Sequence, residues 1–471
     1  MKLVGNGIDY TTGARLFKPI EDTDFGRKIE ERWKKREKSI RSITRATTFA
    51  TTFRGGIERD RAVDLGDPKS AGWTFLVNKT DPQVAEYIEI LRPLAEFRGM
   101  KNPEAPMTYA DESMDQWFEW IQENYYWPYS SEMMNPPHYI LIVGNPDRVP
   151  FHFQSFLDCV ASAGRVDFNS LDDLKTYVDK IIRLENSEPI VSKEAVFFAP
   201  DGGEMDPTYF SRKYMAEPLA DLVNTKLGFK TKKLMGNDAT KDNLVNALSE
   251  TNPALVYTAS HGIGAVGAST TIQEMANGAI CCQTAEEQLT DKDLFMASDV
   301  PAFQPFLEGS IFFQFACFGY GTQKESEYSF WFGEEPLVFA SDFVAALPKR
   351  LLAHPKGPIA FIGHMDTALL HAFDDPNSPE IATRMHPRMS PFIRAVETLL
   401  KVQPVGLSME DMNKRYDLGN ATLTSTFDLL ERGKIERTPQ VMARLADTFL
   451  TRSDAQNYMV FGDPAARLNI A

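Results

Sequence analysis

The sequence predicts an α/β protein in which helices cover both faces of mainly parallel sheets. Three observations carry this. Short apolar runs without polar alternation recur along the chain, as strands buried on both faces require. Stretches of helical period lie between them. The chain of 471 residues is 43% hydrophobic and 11% aromatic, which supports two or three domains or one large unit and argues against global disorder.

The elements follow in order. WTFLVN (73–78) reads as a strand. DPQVAEYIEILRPLAEFRGM is a helix with Asp81 and Pro82 as cap and first position and Gly99 near its end. A second helix, ESMDQWFEWIQENYYW, precedes the strand YILIVG, which NPDRVP stops. SLDDLKTYVDKIIRLENSE is a helix with Ser170 as its cap. EAVFFAP, FKTKKLM, ALVYTAS, IFFQFA and PIAFIG are further strands, and FSRKYMAEPLADLVNTKLGF and KDNLVNALSE are helices among them. The break between LENSEP and EAVFF divides two α/β units, 71–190 and 191–471. No period of 20–50 residues marks a solenoid.

Residues 1–70 stand apart. Between Arg27 and Arg61 there are twelve Lys/Arg against five Asp/Glu. EERWKKREKSIRSITRATTF reads as a helix that loosens into a Ser/Thr-rich stretch, followed by FRGGIERDR. One reading is a solvated helix and linker. The other is a basic arm that docks on the acidic body, blocks a site, or is cut at its arginines by an activating protease or engaged by a regulator.

The net charge of −15 argues against a nucleic-acid binder, which needs a basic surface. The start, MKLVGNGIDYTTG, has no apolar signal core, and no run reaches the length of a membrane span. A cytoplasmic location without a membrane partner is the resulting expectation. Cys159, Cys281, Cys282 and Cys317 are too few for a disulfide framework and contain no C-x-x-C. No metal or cofactor is expected.

In parallel sheets, chemistry gathers at the carboxyl ends of strands. EAVFFAP ends in Asp201-Gly202-Gly203, ALVYTAS in His261-Gly262, and IFFQFA in Cys317. If the last two strands are neighbours, imidazole and thiol share one rim. A thiolate is the nucleophile, and an adjacent imidazole lowers its pKa and then protonates the leaving amine. The amides of Gly262 and Cys317 would stabilise an oxyanion. Asp201, one strand away, would orient His261. Each residue alone also fits passive packing; the pairing of thiol and imidazole at two strand ends is what points to catalysis. A rival motif, Gly262-Ile263-Gly264-Ala265-Val266-Gly267, matches G-x-G-x-x-G. A dinucleotide loop must open a helix and be followed by an acidic strand end; ASTTIQEMANGAICCQ has only a weak helical pattern with an Asn277-Gly278 turn signal, and no clear strand ending in Asp or Glu follows.

TASHG and FFQFACFGYG resemble the His-Gly and Ala-Cys blocks of caspase-like cysteine peptidases. Their separation, 317 − 261 = 56 residues, is close to the ~50 of that group. The neighbouring blocks are similar to gingipain-type peptidases in order: YILIVGNPDRVP, SAGRVDFNSLDDLKTYVDKIIRLE, AVFFAPDGG, GPIAFIG and YMVFGDPAARLNI. The resemblance runs from about residue 73 to 471. It implies two adjacent three-layer α/β/α subdomains, an N-terminal one without catalytic residues and a caspase-like C-terminal one. It places Cys317 on the nucleophile, His261 on the histidine, and Asp201 on an acidic third residue that is glutamate in gingipains. Gingipains take Arg or Lys through an aspartate at the base of the primary pocket. The matching region here contains Asp206, Arg212 and Lys213. Asp206 would favour a basic residue and Arg212 an acidic one; Asp366 and His364, past the GPIAFIG strand, are further lining candidates.

The expected function is a cysteine endopeptidase acting on protein substrates and kept latent until triggered, with residues 1–70 as a candidate latch. The alternative is a caspase-like module that binds partners without catalysis.

Overall fold

Ten strands join into a single sheet in the computed structural model, which describes residues 2–35, 63–126, 136–284, 289–331, 339–373 and 387–471. They are β1 (Trp73–Asn78), β2 (Met107–Tyr109), β3 (Tyr139–Val143), β4 (Ser162–Val166) and β5 (Ser192–Ala199). β6 (Lys230–Met235), β7 (Pro253–Ala259), β8 (Ile311–Phe315), β9 (Ala360–His364) and β10 (Tyr458–Phe461) complete it. The spatial order is β2-β1-β3-β4-β10-β9-β8-β7-β5-β6.

Pairing is parallel within each half. The final strand β10 runs parallel to β4 and antiparallel to β9. The two α/β units expected from the sequence are therefore edge-joined through one antiparallel seam. In the second half the chain goes from β5 out to β6 and then returns to place β7 on the other side of β5. That reversal opens a crevice at the carboxyl ends of β5 and β7, where such sheets bind ligands.

Local sequence explains the helices that flank the sheet. Helix α1 spans Asp22–Lys35, α2 Val84–Phe97, α3 Leu171–Asn186 and α4 Pro439–Gln456. Ser170 caps α3 by accepting the Asp173 amide at 3.1 Å. Helix α2 starts later than the Asp81-Pro82 pair suggests. Asp81 accepts the amide of Gln83 at 2.9 Å in a preceding turn, and the helix opens at Val84 without a side-chain cap.

The closing segment after β10 is locked into the N-terminal half by buried charge. Arg98, just past α2, donates to both oxygens of Glu185 at 2.7 and 2.6 Å and to Asp463 at 2.8 Å. Trp73 donates its indole N–H to the other oxygen of Asp463 at 2.9 Å. Burial disfavours the Arg98 guanidinium, yet the two carboxylates more than offset it and hold its pKa above the ordinary value.

The N-terminal arm is folded onto the body as far as Lys35. Trp33 stacks on Phe427 with ring centroids 4.0 Å apart, and Phe17 and Phe25 pack on Trp331. Arg32 donates to the Glu327 carbonyl at 2.6 Å. The Ser/Thr-rich stretch and FRGGIERDR lie outside the described residues. Arg98→Met should destabilise the protein by about 3–5 kcal/mol, because two carboxylates are left buried without a counter-charge. Urea unfolding would measure this, and a midpoint equal to wild type would show that the lock contributes nothing.

Candidate active site

Strands β7 and β8 are direct neighbours in parallel register, with Ala259 opposite Phe315. The Ser260 amide continues the ladder to the Phe315 carbonyl at 3.1 Å. His261 and Cys317 therefore leave adjacent strand ends on the same rim. Gly262 lies directly against the Cys317 backbone. A Cβ built at that position would sit 1.9 Å from the Cys317 carbonyl oxygen and 2.6 Å from its nitrogen. Only glycine fits there, which packs the Gly262 main chain against the Cys317 main chain.

His261 is 9% exposed. Its Nε2 lies 2.9 and 3.1 Å from the two carboxylate oxygens of Asp206. Its Nδ1 is buried and has no hydrogen-bond partner among the described residues, so this nitrogen is the one free to carry a proton to and from substrate. Asp206 caps the short helix Pro207–Ser211 and accepts from the amide and hydroxyl of Thr208 at 2.8 and 2.6 Å. Burial by itself would raise the Asp206 carboxyl. The hydrogen bond and charge of His261, with the Thr208 contacts, hold it well below the usual carboxylate range instead.

The expected third member, Asp201, is elsewhere. Its Oδ2 takes Nε and Nη2 of Arg212, each at 3.0 Å, and its Oδ1 accepts the Gly203 amide at 2.8 Å. The Asp-Gly-Gly turn carries Asp201 away from the imidazole, and the following helix start returns Asp206 to it. The clue in the sequence is Asp206-Pro207-Thr208, a helix start whose cap lies three residues past the turn.

The remaining pocket candidates are not free to meet substrate. Arg212 is shared between Asp201 and Glu217, so it presents no open guanidinium to an acidic residue. Asp366 is 1% exposed and fully bonded, accepting from the Ser326 hydroxyl and the amides of Glu327 and Thr367. Burial raises its pKa, against the lowering effect of those bonds. His364 is buried, with Nδ1 2.8 Å from the Asp366 carbonyl and Nε2 3.4 Å from Asp454. The glycine-rich stretch after His261 runs as a short strand, Ile263–Gly264, which pairs with Ile8–Asp9, and a seven-residue helix, Thr270–Ala276, opens soon after Gly267; the next strand, Ile280–Cys281, has no acidic end. Cys281 and Cys282 are buried, and burial pushes both thiols up, Cys282 to about 12.

The cleft is occupied by residues 5–9 of the N-terminal arm; docking and site-blocking was one reading of that arm, but the segment that enters the cleft precedes its basic part. Gly5 bridges antiparallel to Leu369. Ile8–Asp9 pairs in parallel with Ile263–Gly264. A hairpin returns the chain so that the Leu16 amide meets the Gly7 carbonyl at 3.0 Å. Cys317 is 0% exposed beneath it and donates from Sγ to the Asn6 carbonyl at 2.9 Å. Burial pushes the thiol well above its ordinary pKa, and the nearby amides only partly offset this. Arg15, on the returning strand, reaches Asp206 Oδ2 at 2.9 Å and the Met205 carbonyl at 3.1 Å.

Residues 108–469 match the family model described as Peptidase family C25. Among solved structures, the chain is similar to the Arg-specific cysteine proteinase gingipain R, at 16% identity over 87% of this chain and 80% of that one, with a TM-score of 0.47. It is also similar to the complex of Porphyromonas gingivalis RgpB pro- and mature domains, at 16% identity over 84% and 79%, TM-score 0.40. The Saccharomyces cerevisiae separase–securin complex matches at 11% identity over 84% of this chain and 19% of that one, TM-score 0.34. No curated protein matches.

Asp206→Asn should lower kcat for peptide hydrolysis roughly 100- to 10,000-fold, and Asp201→Asn by less than about tenfold; the reverse ranking would reject the assignment. The folded pKa of Asp206 is below its unfolded value. Its contribution to stability is therefore present above about pH 3.9 and lost as the pH falls toward the folded value. Denaturant midpoints measured from pH 6 to 2 should fall less steeply in Asp206→Asn than in wild type.

Proposed function

Because this chain belongs to peptidase family C25 and is a cysteine peptidase, we propose that Cys317 is its nucleophile and His261 its acid/base. On this reading Asp206 orients the imidazole, and the N-terminal segment holds the enzyme latent. Protein chains are its substrates. The observation that carries the reading is the single rim on which neighbouring strands bring out a thiol and an imidazole, the imidazole gripped on one side by a carboxylate.

The roles follow from the geometry. Asp206 fixes the ring through Nε2 and stabilises it when protonated, which leaves Nδ1 to move the proton. Cys317 adds to the scissile carbonyl to give a thioester, and His261 delivers the proton to the departing amine. The Gly262 amide lies beside the sulfur and so beside the oxyanion that forms there; a donor of this kind is worth about 3 kcal/mol. Asp201 braces Arg212 and the turn, a structural part.

Latency is supported by the cover over the sulfur. Fully buried and protonated, the thiol is a poor nucleophile. Opening needs the segment to leave its pairing with 263–264 and Leu369 and to release Arg15 from Asp206. A protease or regulator acting on the arm is the partner this arrangement calls for.

Cys317→Ala should abolish hydrolysis of peptides while the fold is retained, read by far-UV circular dichroism and an unchanged melting profile; residual turnover would reject the nucleophile. Arg15→Glu places a second carboxylate against Asp206 and should speed labelling of Cys317 by a thiol-reactive peptide probe about tenfold, an opening equilibrium shifted by about 1.4 kcal/mol. An unchanged labelling rate would remove Arg15 from the latch.

A further inference from the structure

Resting on the peptidase reading above, we infer that Asp454 is a positioning residue for the substrate: it sets the edge of loop 365–369 along which a bound peptide chain pairs, and it ties that edge to the turn carrying Cys317. The place of this carboxylate is costly. Asp454 is 0% exposed and lies in the last turn of α4, where the helix dipole disfavours a negative charge. Its Oδ2 has no hydrogen-bond partner among the described residues, and neither have the buried hydroxyls of Tyr257, Tyr328 and Tyr458. A buried carboxylate with an unsatisfied oxygen destabilises a fold relative to an apolar residue of similar size. Stability alone does not account for an aspartate here, and departures of this kind gather at functional sites.

Both contacts of the other oxygen lead to the cleft. Oδ1 accepts the Leu369 amide at 3.3 Å and faces Nε2 of His364 at 3.4 Å. Leu369 is the residue that bridges antiparallel to Gly5 of the segment in the cleft. An extended chain there adds to this edge as a strand, main chain to main chain, and the inward pull of Asp454 on the Leu369 amide fixes how the edge is presented. The second contact leads to the nucleophile. Nδ1 of His364 lies 2.8 Å from the Asp366 carbonyl, and the same carbonyl accepts the Phe318 amide at 2.9 Å. The Tyr320 amide bonds to the His364 carbonyl at 3.0 Å. Phe318 follows Cys317 directly and has φ +59°, a backbone conformation that a bulky residue keeps only when its surroundings hold it. One carboxylate thus touches the edge that would hold the substrate and, through one ring, the turn that holds the sulfur.

The offset between edge and turn decides whether a scissile carbonyl meets the sulfur, and attack tolerates little error in that distance. Without the carboxylate, the Leu369 amide and the His364 ring lose their common anchor, while β8 and β9 remain paired along Ile311–Gln314 and Ala360–Gly363. The deficit therefore falls on ligands long enough to lie along the edge. A ligand that meets only the sulfur is spared.

Two chloromethyl ketones test this on the full-length protein: acetyl-Ala, which places no residue at the position of Gly5, and acetyl-Ala-Ala-Ala-Ala, which lies along the edge. Labelling of Cys317 is followed by peptide mass spectrometry. Both probes wait for the same opening of the N-terminal segment, so the ratio of their rates reports on the edge alone. In wild type the longer probe should react roughly tenfold faster. Asp454→Ala should cut that ratio about fivefold or more. Asp454→Asn keeps an oxygen facing the Leu369 amide and should hold the ratio within about twofold of wild type. If far-UV circular dichroism shows that Asp454→Ala does not fold, the double variant Asp454→Leu/His364→Phe, apolar at both positions, takes its place with the same expected loss. Failure of both to fold makes Asp454 a residue of the fold and overturns the inference. An unchanged ratio in the folded variant, a wild type without preference for the longer probe, or Asp454→Asn as impaired as the alanine variant also overturns it, and each leaves the peptidase reading standing. Absence of Cys317 labelling by either probe after the arm has been opened by Arg15→Glu overturns both.

Discussion

The pairing of β7 with β8, and the bare glycine that follows His261, set every distance that matters at this site. Parallel register brings Ala259 opposite Phe315, so the next residues of both strands emerge together. Beyond that point no side chain separates them, since Gly262 is in van der Waals contact with the Cys317 backbone. Sulfur, imidazole and amide are thereby placed by the sheet's own ladder and by one close backbone approach. A group fixed in this way need not be reorganised when charge develops, which is where such donors gain most of their effect.

The same placement creates a conflict that the N-terminal segment exploits. A strand end deep in an apolar sheet favours a neutral thiol, and covering it strengthens that preference. The cover is held mainly by apolar anchors. Trp33 on Phe427 and Phe17 on Trp331 remove large surfaces from water, whereas the Arg15–Asp206 pair leaves Arg15 38% exposed and so contributes little by itself. Its value is positional, because it loads the carboxylate that orients His261. As the latch proposed above, the covalently tethered segment would act at an effective concentration no free inhibitor reaches. Modest contacts at the cleft then suffice, provided the anchors hold.

Much of the fold was legible in the sequence because buried parallel strands advertise themselves as unbroken apolar runs. β1, β3, β5, β7, β8 and β9 all do. The strands that escaped this signal are short or polar. β2 has three residues, and β4 reads Ser-Ala-Gly-Arg-Val, its Arg165 buried but satisfied by Gln154 and the carbonyls of Gly144 and Val149. At the site, Cys317 and His261 were readable as ends of strong strands. Asp206 as the partner of His261 was not, since its position depends on how a glycine turn swings, and Asp201 is the residue nearer the end of β5. The occupation of the cleft by residues 5–9 leaves no local trace at all; it is a contact across more than 250 positions, visible only once the chain is folded.

The seam between the two halves shows how the half without the proposed catalytic groups supports the one that carries them. The loop 365–369, which forms one rim of the cleft, is not braced by the catalytic half alone. The Met365 amide donates to the Asn457 carbonyl at 2.8 Å, and the Leu369 amide reaches Asp454 at 3.3 Å. Both acceptors lie at the end of α4, immediately before β10, and the His364 ring stands edge-on to Tyr458 of β10 at 4.9 Å. β10 in turn is hydrogen-bonded to β4, and the segment after it is locked by Asp463 to Arg98 and Trp73. The rim that pairs with Gly5 is thus anchored, through one strand, in the half that carries no chemistry. A substrate main chain bound along that rim is held against a ten-stranded sheet instead of a free loop, and this rigidity is what near-attack placement of a scissile bond demands.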